Sequence, residues 1–128
     1  MTREEFTNVL DNYGYSYKIE GDKIVVTHKG EVKLNSLHEL PPGAEFKNVG
    51  NVYLNLLKTL PQGFVFENRG SVSLSALTSL PLGVEFKNGG YVYLPSLIGG
   101  QFNYWNGNIE GIDSNRLLNV MIKQGMFI

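Results

Sequence analysis

Leu60-Pro-Gln-Gly-Phe-Val-Phe-Glu-Asn-Arg-Gly-Ser-Val-Ser-Leu74 and Leu80-Pro-Leu-Gly-Val-Glu-Phe-Lys-Asn-Gly-Gly-Tyr-Val-Tyr-Leu94 carry one pattern twice, 20 residues apart. The segment from Leu40 to Leu54 carries it a third time. The shared pattern reads L-P-x-G-φ-x-F-x-N-x-G-x-V-x-L-x-x-L-x-x, where φ is apolar. Fixed-period self-similarity of this kind marks a stack of structural repeats. Its columns are Pro41, Pro61, Pro81; Phe46, Phe66, Phe86; and Asn48, Asn68, Asn88. Others run back one coil further: Val32, Val52, Val72, Val92; Leu34, Leu54, Leu74, Leu94; and Leu37, Leu57, Leu77, Leu97. The earliest coil is degenerate, with Ile24 and Val26 at the apolar positions and His28 at the Asn position.

One coil can be built from this spacing. Val-x-Leu and φ-x-Phe each have a period of two, so each is a short strand with one face inward. Asn-x-Gly and the Leu-Pro-x-Gly element supply the two corners. Stacking equivalent strands at ~4.8 Å pairs each with its own copy in parallel and turns the apolar columns into interior ladders. The expected fold is therefore mainly β. It is a short parallel β-helix, or solenoid, of about four 20-residue coils. The Asn column reads as a hydrogen-bonded corner ladder serving turn amides. A leucine-rich-repeat horseshoe competes, because Leu-x-x-Leu-Pro also occurs there. The Phe-x-Asn-x-Gly element and its second strand favour the two-faced solenoid.

The ends depart from the repeat and read as caps, which stacked sheets need because open edges aggregate. Thr2-Arg3-Glu4-Glu5 has capping-box form, Phe6, Val9, Leu10 and Tyr13 follow at helical spacing, and Gly14 is a stop. Tyr15 to Thr27 alternates about Glu20-Gly21-Asp22, which predicts a β-hairpin. At the other end, Asp113 or Ser114 would cap a helix bearing Leu117, Leu118, Met121 and Ile122, ended by Gly125. Between lies an irregular aromatic stretch, Phe102 to Asn108, with Tyr104 and Trp105. A single domain is expected: 1–21 as N-terminal helix and hairpin cap, 22–100 as coils, and 101–128 as aromatic loop and C-terminal helix cap.

Composition narrows the function classes. The 128 residues hold 11 basic and 12 acidic side chains, and a net charge of −1 gives no basic footprint for nucleic acid. There is no cysteine, hence no disulfide and no thiolate metal site. No signal-peptide pattern opens the chain and no apolar run reaches the ~20 residues of a membrane span, so a cytoplasmic protein is expected. His28 and His38 lie half a coil out of phase, which argues against a shared metal. No nucleophile-elbow, zinc-protease, phosphate-loop or dinucleotide motif is present, and Glu45, Glu67 and Glu85 sit beside Lys47 and Lys87 as charge-paired outward columns. The reading is non-enzymatic, with no cofactor.

What remains is an outer face. Two outward columns run Glu31, Asn51, Ser71, Tyr91 and Lys33, Tyr53, Ser73, Tyr93. Tyr53, Tyr91 and Tyr93 would share one sheet face with Tyr104 and Trp105 near it, and these five are the candidate partner-binding residues. Exposed Tyr and Trp suit protein-binding hot spots, while strand propensity alone also accounts for Tyr here. Base stacking on single strands is poorly supported, because Lys33 is the lone basic residue of these columns. A self-assembling structural protein and a carbohydrate-binding module are the competing readings.

The stretch from Ser75 to Leu94 resembles the LPxG-type 20-residue repeat proteins of bacteriophages and mobile elements, a likeness covering roughly residues 22 to 98. That resemblance implies a small non-enzymatic protein acting in a bacterial host cell. Among such proteins are inhibitors of host defence enzymes, including anti-CRISPR proteins that block effector nucleases. A protein partner, such as a nuclease effector, is what the resemblance implies.

Overall fold

The computed structural model describes residues 1–81 and 83–96. The expected C-terminal helix, Leu97 of the leucine column, Tyr104 and Trp105 lie outside the described residues.

Helix α1 (Arg3–Tyr13) starts as its capping box requires. Thr2 Oγ1 accepts from the Glu5 N–H at 3.0 Å, and Glu5 Oε1 accepts from the Thr2 N–H at 2.8 Å. Those two bonds satisfy donors that a helix start leaves open. The Thr2 backbone bond, helped by its hydroxyl, also holds the Glu5 carboxyl below its usual range. At the other end Gly14 adopts φ 72°, and the Gly14 and Tyr15 N–H groups fold back onto Asp11 O and Leu10 O. Phe6 and Leu10 are buried, Val9 is partly so, and Tyr13 remains exposed. The helix thus plugs the N-terminal end of the core, with Phe6 meeting Phe46 edge-on at 6.5 Å.

Strands β1 (Tyr17–Glu20) and β2 (Lys23–Val26) form the expected hairpin around Gly21-Asp22. β2 has a second role as the first rung of the solenoid. Sheet A continues in parallel through β4 (Ala44–Phe46), β6 (Val65–Phe66) and β8 (Glu85–Phe86). Sheet B is wholly parallel: β3 (Val32–Lys33), β5 (Val52–Tyr53), β7 (Val72–Ser73) and β9 (Val92–Tyr93). Each rung meets its copy 20 residues on, as in Val32↔Val52, Val52↔Val72 and Val72↔Val92. The chain is therefore mainly β, a two-sheeted solenoid of about three turns behind one N-terminal helix. The second strand of each coil does build a sheet, which separates the fold from a leucine-rich horseshoe.

Phe46, Phe66 and Phe86 stack face to face inside, with centroids 5.9 and 5.5 Å apart and planes within 13° and 2°. Every Val and Leu of the two sheet-B columns from Val32 to Leu94 is fully buried. Phe64, in the column where neighbouring coils have Ala44 and Val84, leans 6.1 Å from Phe46 and 4.8 Å from Phe66 beside the short Ala44. Burying such side chains contributes about 1.5–3 kcal/mol each, set against the ordering of a chain made largely of turns.

The Asn ladder departs from expectation in its polarity. Asn48 Nδ2 donates to Gly30 O of the previous coil at 3.1 Å, to Gly50 O at 3.2 Å and to Asn51 O at 3.4 Å. Asn68 repeats this with Gly50, Gly70 and Ser71. The side chains therefore serve corner carbonyls, whereas the sequence reading has them serving amides. The reason is geometric: the corner turns three C=O groups inward and only the amide nitrogen can answer them. Oδ1 of Asn48 and of Asn68 meets no donor among the described residues. The reverse rotamer would set that oxygen against three carbonyls, so the orientation is decided by its surroundings.

The N-terminal edges are handled differently in the two sheets. In sheet A, β1 is the edge, and Lys18 and Glu20 form a 2.7 Å ion pair on it, charge being one way edges resist pairing. That pair holds the Glu20 carboxyl below its usual range, the lysine hydrogen bond being the main cause. In sheet B no strand precedes β3. There Tyr15 Oη accepts from the Lys33 N–H at 3.0 Å and its hydroxyl lies 3.5 Å from Lys33 O. One hydroxyl thus stands in for a missing strand. Tyr15→Phe is expected to lose about 1 kcal/mol by urea unfolding, the net worth of one such bond. Hydrogen exchange at Lys33 should rise in step. An unchanged Lys33 exchange rate would refute this role for Tyr15.

Candidate functional site

Sheet B positions three of the five residues singled out as a partner-binding face. Its register brings Lys33, Tyr53, Ser73 and Tyr93 into one outward row. Tyr53 and Tyr93 are two rungs apart, about 10 Å at the usual strand spacing. Tyr91 and Tyr93 are 51% and 41% exposed, and Tyr53 is half-buried. Alternation alone accounts for the placement, because Val52, Val72, Val92 and the adjoining leucines take the inward positions. Tyr104 and Trp105 lie outside the described residues, so three tyrosines define the face.

Tyr53 is held from two sides. Asn51 Nδ2 donates to its hydroxyl at 3.2 Å, and the Lys33 ammonium stands 5.8 Å from the ring centroid. Lys33 also pairs with Glu31 at 3.3 Å. The one cation of these columns among the described residues is therefore engaged with a ring and a carboxylate, and the described part of the face carries no basic stripe. A fixed aromatic ring loses little conformational entropy when it docks, and this favours recognition.

Polar ladders flank the face, and the sequence reading missed them. Asn51 Oδ1 accepts from the Ser71 N–H at 2.8 Å, and Ser71 Oγ accepts from the Tyr91 N–H at 3.1 Å. On the other side Asn35 Oδ1 accepts from the Asn55 N–H at 2.9 Å, and Asn55 Oδ1 accepts from the Ser75 N–H at 3.3 Å. Each coil's short polar side chain thus bonds the backbone of the next. The available signal was the run of Asn and Ser in the columns bounding Val-x-Leu.

The other surfaces offer less. Outward charges on sheet A form a chain of ion pairs, Lys23–Glu45 at 3.1 Å, Lys47–Glu45 at 3.9 Å and Lys47–Glu67 at 3.5 Å, with a further pair, Lys87–Glu85, at 3.0 Å. The hydrogen bond to Glu45 raises the Lys23 ammonium above its ordinary value. Charge pairing was the expected role of these columns. A shallow cleft of about 160 Å³ lies between the Gly43–Glu45 and Pro61–Val65 corners, and its one carboxylate, Glu45, is already paired. His28 Nδ1 accepts from the Ser16 N–H at 3.3 Å, tying the degenerate first corner to the cap, and His38 is exposed on a different corner. No group of metal-binding side chains occurs among the described residues, and no described helix is long and apolar enough to cross a membrane.

Fold and surface together define a two-sheeted β-solenoid capped by an N-terminal helix, with exposed tyrosines on the outer face of sheet B. Comparison of the chain with protein-family models, with curated proteins and with solved structures returned no match.

Proposed function

We propose that this chain is a non-enzymatic protein-binding repeat module that engages its partner through the outer face of sheet B. The observation that carries this reading is the outward pair Tyr53 and Tyr93 on sheet B with exposed Tyr91 beside β9, Tyr53 being fixed by Asn51 and Lys33. Rigid aromatic rings with polar tips give large contact area at low entropic cost, the usual make-up of interface hot spots. The finer reading, an inhibitor of a host defence nuclease, rests on the resemblance of the repeat and adds a partner class to the same face.

The test is capture from bacterial lysate with the tagged chain and with a Tyr53→Ala, Tyr91→Ala, Tyr93→Ala variant, in the presence and absence of nuclease. The wild type should retain one stoichiometric protein insensitive to nuclease. The triple variant should lose it with a melting curve close to wild type. Each hot-spot tyrosine is expected to contribute about 2 kcal/mol, so the triple change should weaken binding by several orders of magnitude. Partner retention by a folded triple variant sinks the site. Recovery of the bait alone, in large assemblies by light scattering, replaces the reading with self-assembly.

A further inference from the structure

The corner ladder contains a chemical weakness in one rung only. Three Asn side chains occupy equivalent buried positions, but Asn48 is followed by Val49, Asn68 by Arg69 and Asn88 by Gly89. An Asn-Gly pair is the sequence most open to cyclisation, since glycine has no side chain to hinder its nitrogen. In that reaction the Gly89 nitrogen attacks Asn88 Cγ, a C–N bond forms, and the side-chain nitrogen leaves as ammonia. Water then opens the succinimide at either carbonyl to give an aspartyl or isoaspartyl residue. No oxidant or cofactor enters.

Native geometry opposes every part of that step. The Gly89 N–H donates to Asn68 O at 2.9 Å, so the attacking nitrogen is fixed in the parallel stack. Asn88 Nδ2 donates to Gly70 O at 3.0 Å, Gly90 O at 3.1 Å and Tyr91 O at 3.3 Å, so the leaving group is held by three carbonyls. The residue is fully buried, which keeps out the water needed for protonation and hydrolysis. Once formed, a carboxylate there would face those same three oxygens without the N–H groups that bonded them. We propose that Asn88-Gly89 is a latent self-modification site, silent while the fourth corner is closed, which converts only through opening of that corner and once converted prevents its closing.

The experiment follows conversion at Asn88 by peptide mapping of the intact chain in mildly alkaline buffer, native and in urea, with Asn68 as a control in the same ladder. In urea Asn88 should convert far faster than Asn68. In the native protein its rate should fall by about tenfold or more and scale with hydrogen exchange at Gly89 and Gly90, as expected when a reaction proceeds through local opening. Equal native and urea rates at Asn88 would overturn the proposal, as would a urea rate no greater than that of Asn68. An Asn88→Asp variant supplies the second arm. It should raise exchange at 86–92 by about tenfold or more while the α1 amides keep their protection, because a buried carboxylate set against the Gly70, Gly90 and Tyr91 carbonyl oxygens opens its surroundings. Unchanged exchange at 86–92 would refute the claim that conversion blocks closure.

Discussion

Phe66→Ala is expected to destabilise the protein by about 3–5 kcal/mol, a large share of the 5–15 kcal/mol typical of a folded domain. Phe66 is the middle of the aromatic ladder and is fully buried. It stacks on Phe46 and Phe86 and touches Phe64, so one truncation removes three ring contacts and opens a cavity between two coils. Neighbouring rungs cannot close that gap, since their 20-residue register is held by backbone bonds such as Glu67 N–H to Phe46 O and Lys87 N–H to Phe66 O. Each aromatic pair adds about 0.5–1.5 kcal/mol beyond its buried area. Phe66→Leu keeps much of the apolar volume but not the stacking, and should lose roughly 1–2 kcal/mol. Urea unfolding of both variants checks the order. A Leu variant as damaged as the Ala variant would show that ring geometry, not filled volume, governs the ladder.

The second large effect is expected at a corner glycine, and its size should depend on what lies in the coil beneath. Gly50 has φ 154°, and a Cβ built on it would lie 2.5 Å from both C and O of Gly30 in the coil beneath. Those are backbone atoms with no rotamer to yield. Gly50→Ala should therefore separate two coils and cost about 3 kcal/mol or more, the scale of steric overpacking added to backbone strain. Gly63 is the contrast. Its φ is 75°, but among the described residues nothing lies within 4 Å of the point where a Cβ would stand. Gly63→Ala therefore meets only the left-handed backbone penalty of about 1–2 kcal/mol. Thermal unfolding of the pair decides the matter. Equal losses would mean that close stacking at the Asn-x-Gly corner is not what demands glycine there.

That contrast also shows how far a linear pattern reaches. Gly50 and Gly63 stand out in the sequence equally, yet at Gly63 glycine answers backbone conformation and at Gly50 coil-to-coil contact as well. The same limit applies to the Asn column: recurrence of Asn48, Asn68 and Asn88 predicts a ladder, while the direction of its bonds depends on which way the corner peptides face. At the candidate face, alternation placed Tyr53 and Tyr93 in one outward row with Tyr91 beside it; the register of sheet B gives that row, and Tyr91 immediately precedes β9. The grip on Tyr53 by Asn51 and Lys33 could not be read, because it depends on side-chain rotamers across two rungs.

By itself the sequence determined the period, the two strands per coil, the inward columns, the capped helix and the hairpin. All of these follow from local spacing repeated along the chain, and in a stacked repeat a residue's principal neighbours are its own copies. Tertiary structure decided what is not periodic. It made β2 both hairpin strand and first rung, set Phe6 against Phe46, and brought the Tyr15 hydroxyl to the open edge of β3. Those contacts join segments that share no repeat. Their partners are chosen by where the cap lands on the first coil, and no pattern within either segment encodes that position.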